Sequence, residues 1–436
     1  MSFVAVGILG IALMLALIAL RMPVGFAMTT VGLGGIGVVY SWKLGPVIGA
    51  AGITPFASAN DFIFTAIPLF ILMGSIAFRS EISSEMFETA RKWVGHWPGG
   101  LACSTVATCS GFAAASGSSI ATAAALSPLT IPEMRSSGFD DRLATGVVAA
   151  GGTLGILIPP SVGLLIYALI TDQSIGKLFI AGVLPGLLMT ILFVGVIVAW
   201  SLFRPDHAPR SRRFSWKERF IALRGVIAIT ALFLLVMGGI YGGLFTPTEA
   251  AAIGASGSML IALLKRKMTM QLLYDSLKET VQTTCMIFMI IIGAHFFSVF
   301  LATTQVPSNL AGFVGALPFS RYVILTIIIV MYLILGCVLD VLAMIVLTVP
   351  IVFPAMMALG FDPIWFGVII VIVMEMALIT PPVGMNVFVI NATYPDVPLI
   401  SVFAGVLPFL LAQLILILLL TVFPAIALWL PALMFG

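Results

Sequence analysis

The stretch Gly155-Ile-Leu-Ile-Pro-Pro-Ser161 places two adjacent prolines inside an apolar segment that is otherwise long enough to cross a membrane. Each proline lacks an amide proton, so a helix is interrupted here and carbonyls one turn earlier lose their partners. The same interruption returns 222 residues later, where Pro381-Pro382 lies within 378–386. A single interruption of this kind is as often structural as functional. Two interruptions at matched positions indicate a functional role.

Further residues that repeat at this offset indicate that the chain contains two related halves. Pro128 recurs as Pro350, and the tripeptide Gly-Phe-Asp at 138–140 recurs at 360–362. Duplicated halves with matched interruptions are typical of membrane transporters whose substrate pathway lies between the repeats.

Composition indicates an integral membrane protein. Hydrophobic residues make up 61% of the chain, charged residues 8%, and the mean hydropathy is +1.21. A soluble domain carries roughly 25% charged residues. The first apolar run, at 3–20, lacks a basic start and a cleavage site, so we expect a retained helix. The sequence has no Gly-x4-Gly-Lys-Ser/Thr loop, which excludes ATP hydrolysis by that route and favours transport driven by an ion gradient.

Charge divides the chain into a first repeat at 1–203, a basic linker at 204–219 and a second repeat at 220–436. The positive-inside rule predicts that the linker is cytoplasmic. The connection at 79–97 carries basic residues and is predicted inside, whereas its counterpart at 303–318 is uncharged and is predicted outside. We therefore expect an all-α membrane protein built from two inverted repeats.

Each repeat is predicted to contain a re-entrant helical hairpin followed by a broken transmembrane helix. The hairpins are placed at about 100–132 and 321–354, and the broken helices at about 141–173 and 363–394. The arms of the first hairpin are shorter than the roughly 20 residues that a crossing needs. Irregular backbone at that depth is tolerated where it lines a cavity or is buried in protein.

Ser116-Gly-Ser-Ser119 is predicted to form the tip of the first hairpin. Hydroxyl and carbonyl oxygens at a helix break suit sodium, and half-helix N-termini favour an anion. Alternatively, these small residues simply permit close packing. Ser118 falls opposite Asp340 in the repeat, which is either an ion ligand or an N-cap for the helix that follows.

The two proline pairs supply further candidates for the substrate pathway. Pro159 belongs to the first pair, and Pro381 and Pro382 form the second, near Thr380 and Asn386 with their oxygen-bearing side chains. A plain kink or the start of a half-helix remains the alternative interpretation.

Glu375 is a carboxylate inside an apolar segment, and Thr153 stands at its position in the first repeat. It either titrates or tethers a neighbouring element, and a structural hydrogen bond is the favoured interpretation.

In combination, the Ser116–Ser119 hairpin, the Gly155–Ser161 break, Leu339-Asp340 and the Leu378–Gly384 break resemble the large membrane subunit of TRAP transporters, tripartite ATP-independent periplasmic transporters. The resemblance covers essentially the whole chain and implies the ion-transporter superfamily fold with an elevator mechanism. It also implies a small four-helix membrane subunit, a periplasmic substrate-binding protein and a bacterial inner-membrane location. About two or more sodium ions would be transported together with an organic anion.

The resemblance implies two sodium sites. The residues implied for the first are Ser116, Ser119, Gly155, Ile158 and Pro160. The residues implied for the second, largely through their backbone, are Gly336, Thr380, Val383 and Met385. The family pattern has a glycine shortly before Thr380, whereas this chain has Ala377-Leu378-Ile379.

We therefore expect a sodium-coupled importer of small carboxylates or sulfonates that depends on a binding protein. The alternative within transport is a stand-alone sodium-coupled carboxylate carrier or ion antiporter of the same superfamily. An integral-membrane enzyme is disfavoured because the sequence shows no nucleophile–base or metal constellation. No nucleic-acid partner is expected.

Overall fold

A computed structural model describes residues 2–80 and 82–435, so the outermost predicted bounds, 1 and 436, fall outside it. Every regular element in the described residues is helical, which confirms the all-α prediction. Within the described residues, seven helices are long and apolar enough to cross a membrane, and an eighth span results if the bent pair at 141–157 and 162–170 counts as one.

In the part of the chain that the structure describes, each half contains eleven α-helices, and in the first half a 3₁₀ turn at Phe62–Thr65 precedes the fourth. In chain order they are α1 Phe3–Ala19, α2 Val24–Val39, α3 Leu44–Ala59, α4 Ala66–Arg79, α5 Ile82–Val94, α6 Gly100–Ser116, α7 Ser119–Ser136, α8 Asp141–Gly152, α9 Leu154–Leu157, α10 Val162–Ile170 and α11 Ile175–Phe203.

The second half also contains eleven. They are α12 Trp216–Ala222, α13 Arg224–Tyr241, α14 Pro247–Leu264, α15 Met270–Thr303, α16 Val306–Ala316, α17 Arg321–Leu335, α18 Val341–Ala358, α19 Pro363–Ala377, α20 Met385–Thr393, α21 Leu399–Val422 and α22 Ala425–Phe435. A hairpin (α6–α7, α17–α18), an interrupted helix (α8–α10, α19–α20) and a long helix (α11, α21) follow one another in each half.

Several helices differ from the sequence-based expectation. Helix α15 begins at Met270, because the Thr269 hydroxyl accepts the Leu272 amide and caps a polar first stretch. A Ser215–Glu218 capping box starts α12 inside the predicted linker. Helices α3 and α22 were not expected.

The helices form two packed groups. In one, α2 lies along α15, and α4 lies against α14 and α15. In the other, α8 packs on α7 and α21, and α19 is contacted by α10, α11, α17, α18 and α21. Every residue of α19 from Ile364 to Ala377 is buried, so this helix forms the centre of the second group. The hairpin tips lie between the two groups.

Candidate functional site

The tip of the first hairpin is a two-residue turn between α6 and α7. Gly117 has φ of +60°, a left-handed conformation that favours glycine, and a Cβ there would lie 3.0 Å from the Pro160 carbonyl oxygen. Ser118 is extended, and its hydroxyl accepts the Ala121 amide at 3.3 Å to cap α7. The sequence Ser-Gly-Ser-Ser thus ends one half-helix and begins the next.

This tip packs directly on the first broken helix. A Cβ at Gly155 would lie 2.5 Å from the Ser118 carbonyl oxygen, so only glycine allows this approach. Helix α9 ends at Leu157, Ile158 is extended, and the Pro159–Pro160 peptide bond is cis. Of the predicted residues, Gly155 and Pro160 thus contact the tip that contains Ser116 and Ser119, and Ile158 lies between them in the break.

The tip of the second hairpin is a longer turn at 336–340. Asp340 caps α18, because its carboxylate accepts the Leu342 amide at 3.2 Å and the Ala343 amide at 3.5 Å. Gly336 packs against the Cβ of Ala377 at the end of α19. The second hairpin therefore also contacts the broken helix of its own half.

The second break spans 378–384 and contains the cis peptide bond Pro381–Pro382. Gly384 has φ of +59°, and a Cβ there would lie 3.4 Å from the carbonyl oxygens of Leu378 and Thr380. The Thr380 hydroxyl donates to the Met376 carbonyl at 2.7 Å. Of the predicted second-site residues, Val383 lies in the break and Met385 begins α20.

Both tips face one cavity of about 450 Å³. Its wall includes 116–121 from the first tip and 340–342 from the second, together with side chains of α4 and α15. Among the predicted residues, Ser116, Ser118, Ser119 and Asp340 line this cavity. The remaining ones lie outside its lining, at the two breaks and the helix ends beside them.

Those remaining residues differ in exposure. Gly155 and Ile158–Pro160 are buried, whereas Pro381 and Pro382 are exposed and Thr380, Val383 and Met385 are intermediate. Asn386 is fully buried, and its amide nitrogen donates to the Ala149 carbonyl at 3.2 Å. The first break is thus enclosed, and the second reaches a surface.

Glu279, which no local sequence pattern singled out, lines the cavity from α15. Its carboxylate accepts hydrogen bonds from Ser75 at 2.7 Å and Arg79 at 3.0 Å, both on α4. Glu279 lies in the polar first stretch of α15, ahead of the apolar part of that helix. Thr269 as an N-cap, followed by residues that favour a helix, is the sequence signal that predicts Glu279 to be helical.

Glu375 connects the two halves. The Ser119 hydroxyl donates to its carboxylate at 2.5 Å, and its exposed fraction is 0%. The favoured interpretation of this residue, a structural hydrogen bond, matches this contact. Its partner lies at the tip of the other half's hairpin, which the sequence did not indicate.

Residues 11–426 match the family described as tripartite ATP-independent periplasmic transporter, DctM component. The chain is 39% identical over 377 residues to the C4-dicarboxylate TRAP transporter large permease protein DctM of Pseudomonas aeruginosa, covering 86% of this chain and 88% of that protein. It is 32% identical to the sialic acid TRAP transporter large permease protein SiaM of Vibrio cholerae serotype O1, with 97% of each covered.

Among solved structures, the Alcanivorax borkumensis YdaH transporter shares the fold. Its TM-score is 0.62 at 15% sequence identity, with 88% of each chain covered. The relatives are named as transporter permeases, which confirms a secondary transporter rather than an enzyme, and they imply the predicted inner-membrane location. The chain is a multi-pass membrane protein. It belongs to the DctM-component family of tripartite ATP-independent periplasmic transporters.

Proposed function

We infer that this chain is the large permease subunit of a sodium-coupled importer of small organic anions that receives its substrate from a periplasmic binding protein. The observation that carries this inference is the convergence of both hairpin tips on one cavity. Each tip also contacts the broken helix of its own half, so the two breaks lie beside the tips that line this cavity.

Sodium is suited to the oxygen atoms at these breaks. The Pro160 carbonyl faces Gly117 in the first contact, and the Leu378 and Thr380 carbonyls face Gly384 in the second. The first sodium ion would be held by the Ser116, Ser119, Gly155, Ile158 and Pro160 set, and the second by the Gly336, Thr380, Val383 and Met385 set. Carbonyl and hydroxyl oxygens are hard ligands, as this cation requires.

The charge of the cavity supports coupling between the anion and sodium. Among the described residues that line the cavity none is basic, and although Glu279 is paired with Arg79 at 3.0 Å, Asp340 contributes a carboxylate without an ion pair. An anion would meet repulsion there unless sodium and the helix N-termini at the tips provide positive potential. Sodium is therefore expected to bind before, or together with, the substrate.

The names of relatives suggest the substrate class. They include permeases for C4-dicarboxylates, sialic acid, isethionate, and ectoine with 5-hydroxyectoine. All are small polar molecules that carry a carboxylate or sulfonate, which fits a cavity of about 450 Å³. The binding protein would provide much of the selectivity among them.

Two partners complete the proposed transporter, a small four-helix membrane subunit and the periplasmic binding protein. Some relatives are longer than this chain, which covers 58% of the isethionate permease DctMQ and 67% of the sialic acid permease SiaT. The additional length in these relatives leaves room for a fused small subunit. Exposed apolar side chains on α1 and α3, such as Leu9, Ile48 and Phe56, suit lipid or such a subunit.

The matched order of elements supports an elevator movement of two inverted repeats. The hairpins and broken helices would move as one body past the group formed by α2, α4, α14 and α15, carrying the cavity from one side of the membrane to the other.

Uptake into proteoliposomes tests the proposed function. The chain and small subunit are reconstituted, and radiolabelled succinate, sialic acid and isethionate are each supplied with the cognate binding protein. Uptake is expected only with sodium outside, the small subunit present and the binding protein loaded. Uptake that survives removal of sodium contradicts the proposal, and uptake without a binding protein supports a stand-alone carrier instead.

A further inference from the structure

An open groove of about 800 Å³ lies between α11 and α21, in the second packed group. Its lining comes from 191–204 of α11 and its cap and from 408–415 of α21, and all of it is apolar apart from Trp200 and Arg204 at one end. Leu411 and Ile415 are exposed, so in a multi-pass membrane protein this face meets lipid or another protein.

The shape of the groove follows from small residues on α11. Ile191, Gly195, Ala199 and Phe203 succeed one another at intervals of four and therefore share one face of the helix. Gly195 and Ala199 are exposed, and a Cβ at Gly195 would meet nothing within 4 Å, so the face is hollow between its two large side chains. Over this hollow the helix rises roughly 18 Å, which is close to the depth of about 15 Å of one leaflet of the hydrocarbon core.

The end of the groove at Arg204 is positively charged and unpaired. Among the described residues, Arg204 takes part in no ion pair, and the indole nitrogen of Trp200, one turn earlier, is buried without an acceptor. The basic linker at 204–219 continues from this point, and its six basic residues outnumber its two acidic ones. A positive potential without a partner is therefore left where the helix leaves the membrane.

A phospholipid with a net negative charge matches both parts of the groove. A hydrocarbon chain fills an apolar hollow of this depth, and its many close contacts each supply a small van der Waals attraction. The phosphodiester supplies acceptor oxygens and the charge that an unpaired arginine lacks. A protein helix in the same place would need a carboxylate at the level of Arg204, whereas lipids of the cytoplasmic leaflet carry phosphate there.

We propose that the groove between α11 and α21 binds one anionic phospholipid of the cytoplasmic leaflet, with an acyl chain between Ile191 and Phe203 and the headgroup phosphate on Arg204. Phosphatidylethanolamine offers the same chains and phosphate, but its ammonium group cancels the net charge, so phosphatidylglycerol is bound more tightly. The site requires only a multi-pass membrane protein and does not depend on sodium or on the organic anion.

The position of the groove has a consequence for the proposed movement. Helices α11 and α21 pack in the group that contains the hairpin α6–α7 and the broken helices. A lipid bound between them would therefore travel with this group in an elevator movement.

Photo-cross-linking in nanodiscs tests the site on the purified chain. Phosphatidylcholine nanodiscs contain a small fraction of either phosphatidylglycerol or phosphatidylethanolamine, each with the same diazirine-bearing acyl chain, and mass spectrometry locates the labelled peptides. Peptides from 191–203 and 408–415 are expected to be labelled about fivefold more by phosphatidylglycerol, the preference that one basic residue near an anionic headgroup provides. Peptides of α1 around the exposed Leu9 should be labelled equally by both lipids.

Two substitutions separate the headgroup from the chain. Arg204→Gln is expected to reduce labelling of the groove by phosphatidylglycerol to the level of phosphatidylethanolamine. Gly195→Leu fills the hollow and should reduce labelling of the groove by both lipids. Arg210→Gln is the control, because it removes the same charge from the same linker but does not line the groove, and it retains the preference.

Equal labelling of the groove by the two lipids in the wild type overturns the proposal, as does an unchanged preference in Arg204→Gln or undiminished labelling in Gly195→Leu. Labelling by phosphatidylglycerol no greater than that of α1 also overturns it, and this is the result expected where a second copy or another subunit covers the face. Size-exclusion profiles and thermal unfolding in detergent establish that the variants are folded.

Discussion

Thr380 has a side chain whose hydroxyl proton is already used. The hydroxyl donates to the Met376 carbonyl at 2.7 Å, four residues earlier in the chain. Its lone pairs therefore point away from that bond and are available to a cation at the second break. Valine has nearly the same shape as threonine but lacks this oxygen.

Replacing Thr380 with valine is expected to weaken sodium binding without unfolding the protein. Losing one polar interaction costs about 1 kcal/mol, which corresponds to a roughly fivefold higher sodium concentration for half-maximal uptake. The sodium dependence of uptake in proteoliposomes measures this change.

Thr393→Val is the matched control for Thr380→Val. Thr393 donates to the Val389 carbonyl at 3.0 Å in the same geometry, but it lies at the exposed end of α20. Its sodium dependence should equal that of the wild type. An unchanged half-maximal concentration for Thr380→Val would remove Thr380 from the site.

At the level of elements, the contact between the first tip and the first break depends on one missing side chain. A Cβ on Gly155 would lie 2.5 Å from the Ser118 carbonyl oxygen, which is backbone and cannot rotate away. Gly155→Ala is therefore expected to separate the tip from the break. Overpacking of this kind costs about 1–3 kcal/mol, and both the thermal unfolding midpoint and the sodium affinity should fall.

The control for Gly155→Ala is Gly195→Ala on α11, where a Cβ would meet nothing within 4 Å. Alanine in a helix interior is favoured over glycine by about 1 kcal/mol, so this variant should be at least as stable as the wild type. Wild-type sodium affinity in Gly155→Ala would show that the tip does not need this close approach.

The sequence predicts the interruptions better than the helices around them. Paired prolines and the Ser-Gly-Ser-Ser tip can be recognised from the local sequence. A missing amide proton or a residue in the left-handed conformation changes the backbone within a few positions. The start of α15 depends on a single capping threonine, and α3, with Pro55 inside it, is stabilised by packing on α2 and α15. The Ser119–Glu375 bond joins positions 256 residues apart, which no local pattern encodes.

On the scale of the whole molecule, Arg135 joins three segments of the second packed group. Its guanidinium contacts Asp141, at the start of α8, at 2.7 Å and Asp396, after α20, at 2.8 Å. Arg135 itself lies near the end of α7. The first hairpin, the first broken helix and the loop that follows α20 are thus joined at one point.

Arg135→Gln is expected to destabilise the protein by about 1 kcal/mol, because the arginine side chain is only 27% exposed and pairs with two carboxylates. Thermal unfolding in detergent measures the change. Arg212→Gln removes an ion pair whose arginine is 73% exposed, and it should have no effect. Equal unfolding midpoints for both variants would show that the ion pairs of Arg135 contribute nothing measurable to stability.

The central claim is that the tips move past α4 while substrate crosses the membrane. Gly74 on α4 touches the end of α6 beside the first tip, since a Cβ there would lie 2.9 Å from the Ala115 carbonyl oxygen. The two residues are therefore close enough for a disulfide. A Gly74→Cys/Ala115→Cys protein, with Cys285 and Cys337 first replaced by serine, can be locked in this arrangement without replacing a residue of the proposed sodium sites.

Sodium-driven uptake by this double variant, before and after oxidation, tests the claim most directly. The reduced protein is its own control, because it carries the same substitutions. We predict that oxidation abolishes uptake in proportion to the cross-linked fraction found by mass spectrometry, and that dithiothreitol restores it. Undiminished uptake by fully cross-linked protein would contradict the movement of the tips.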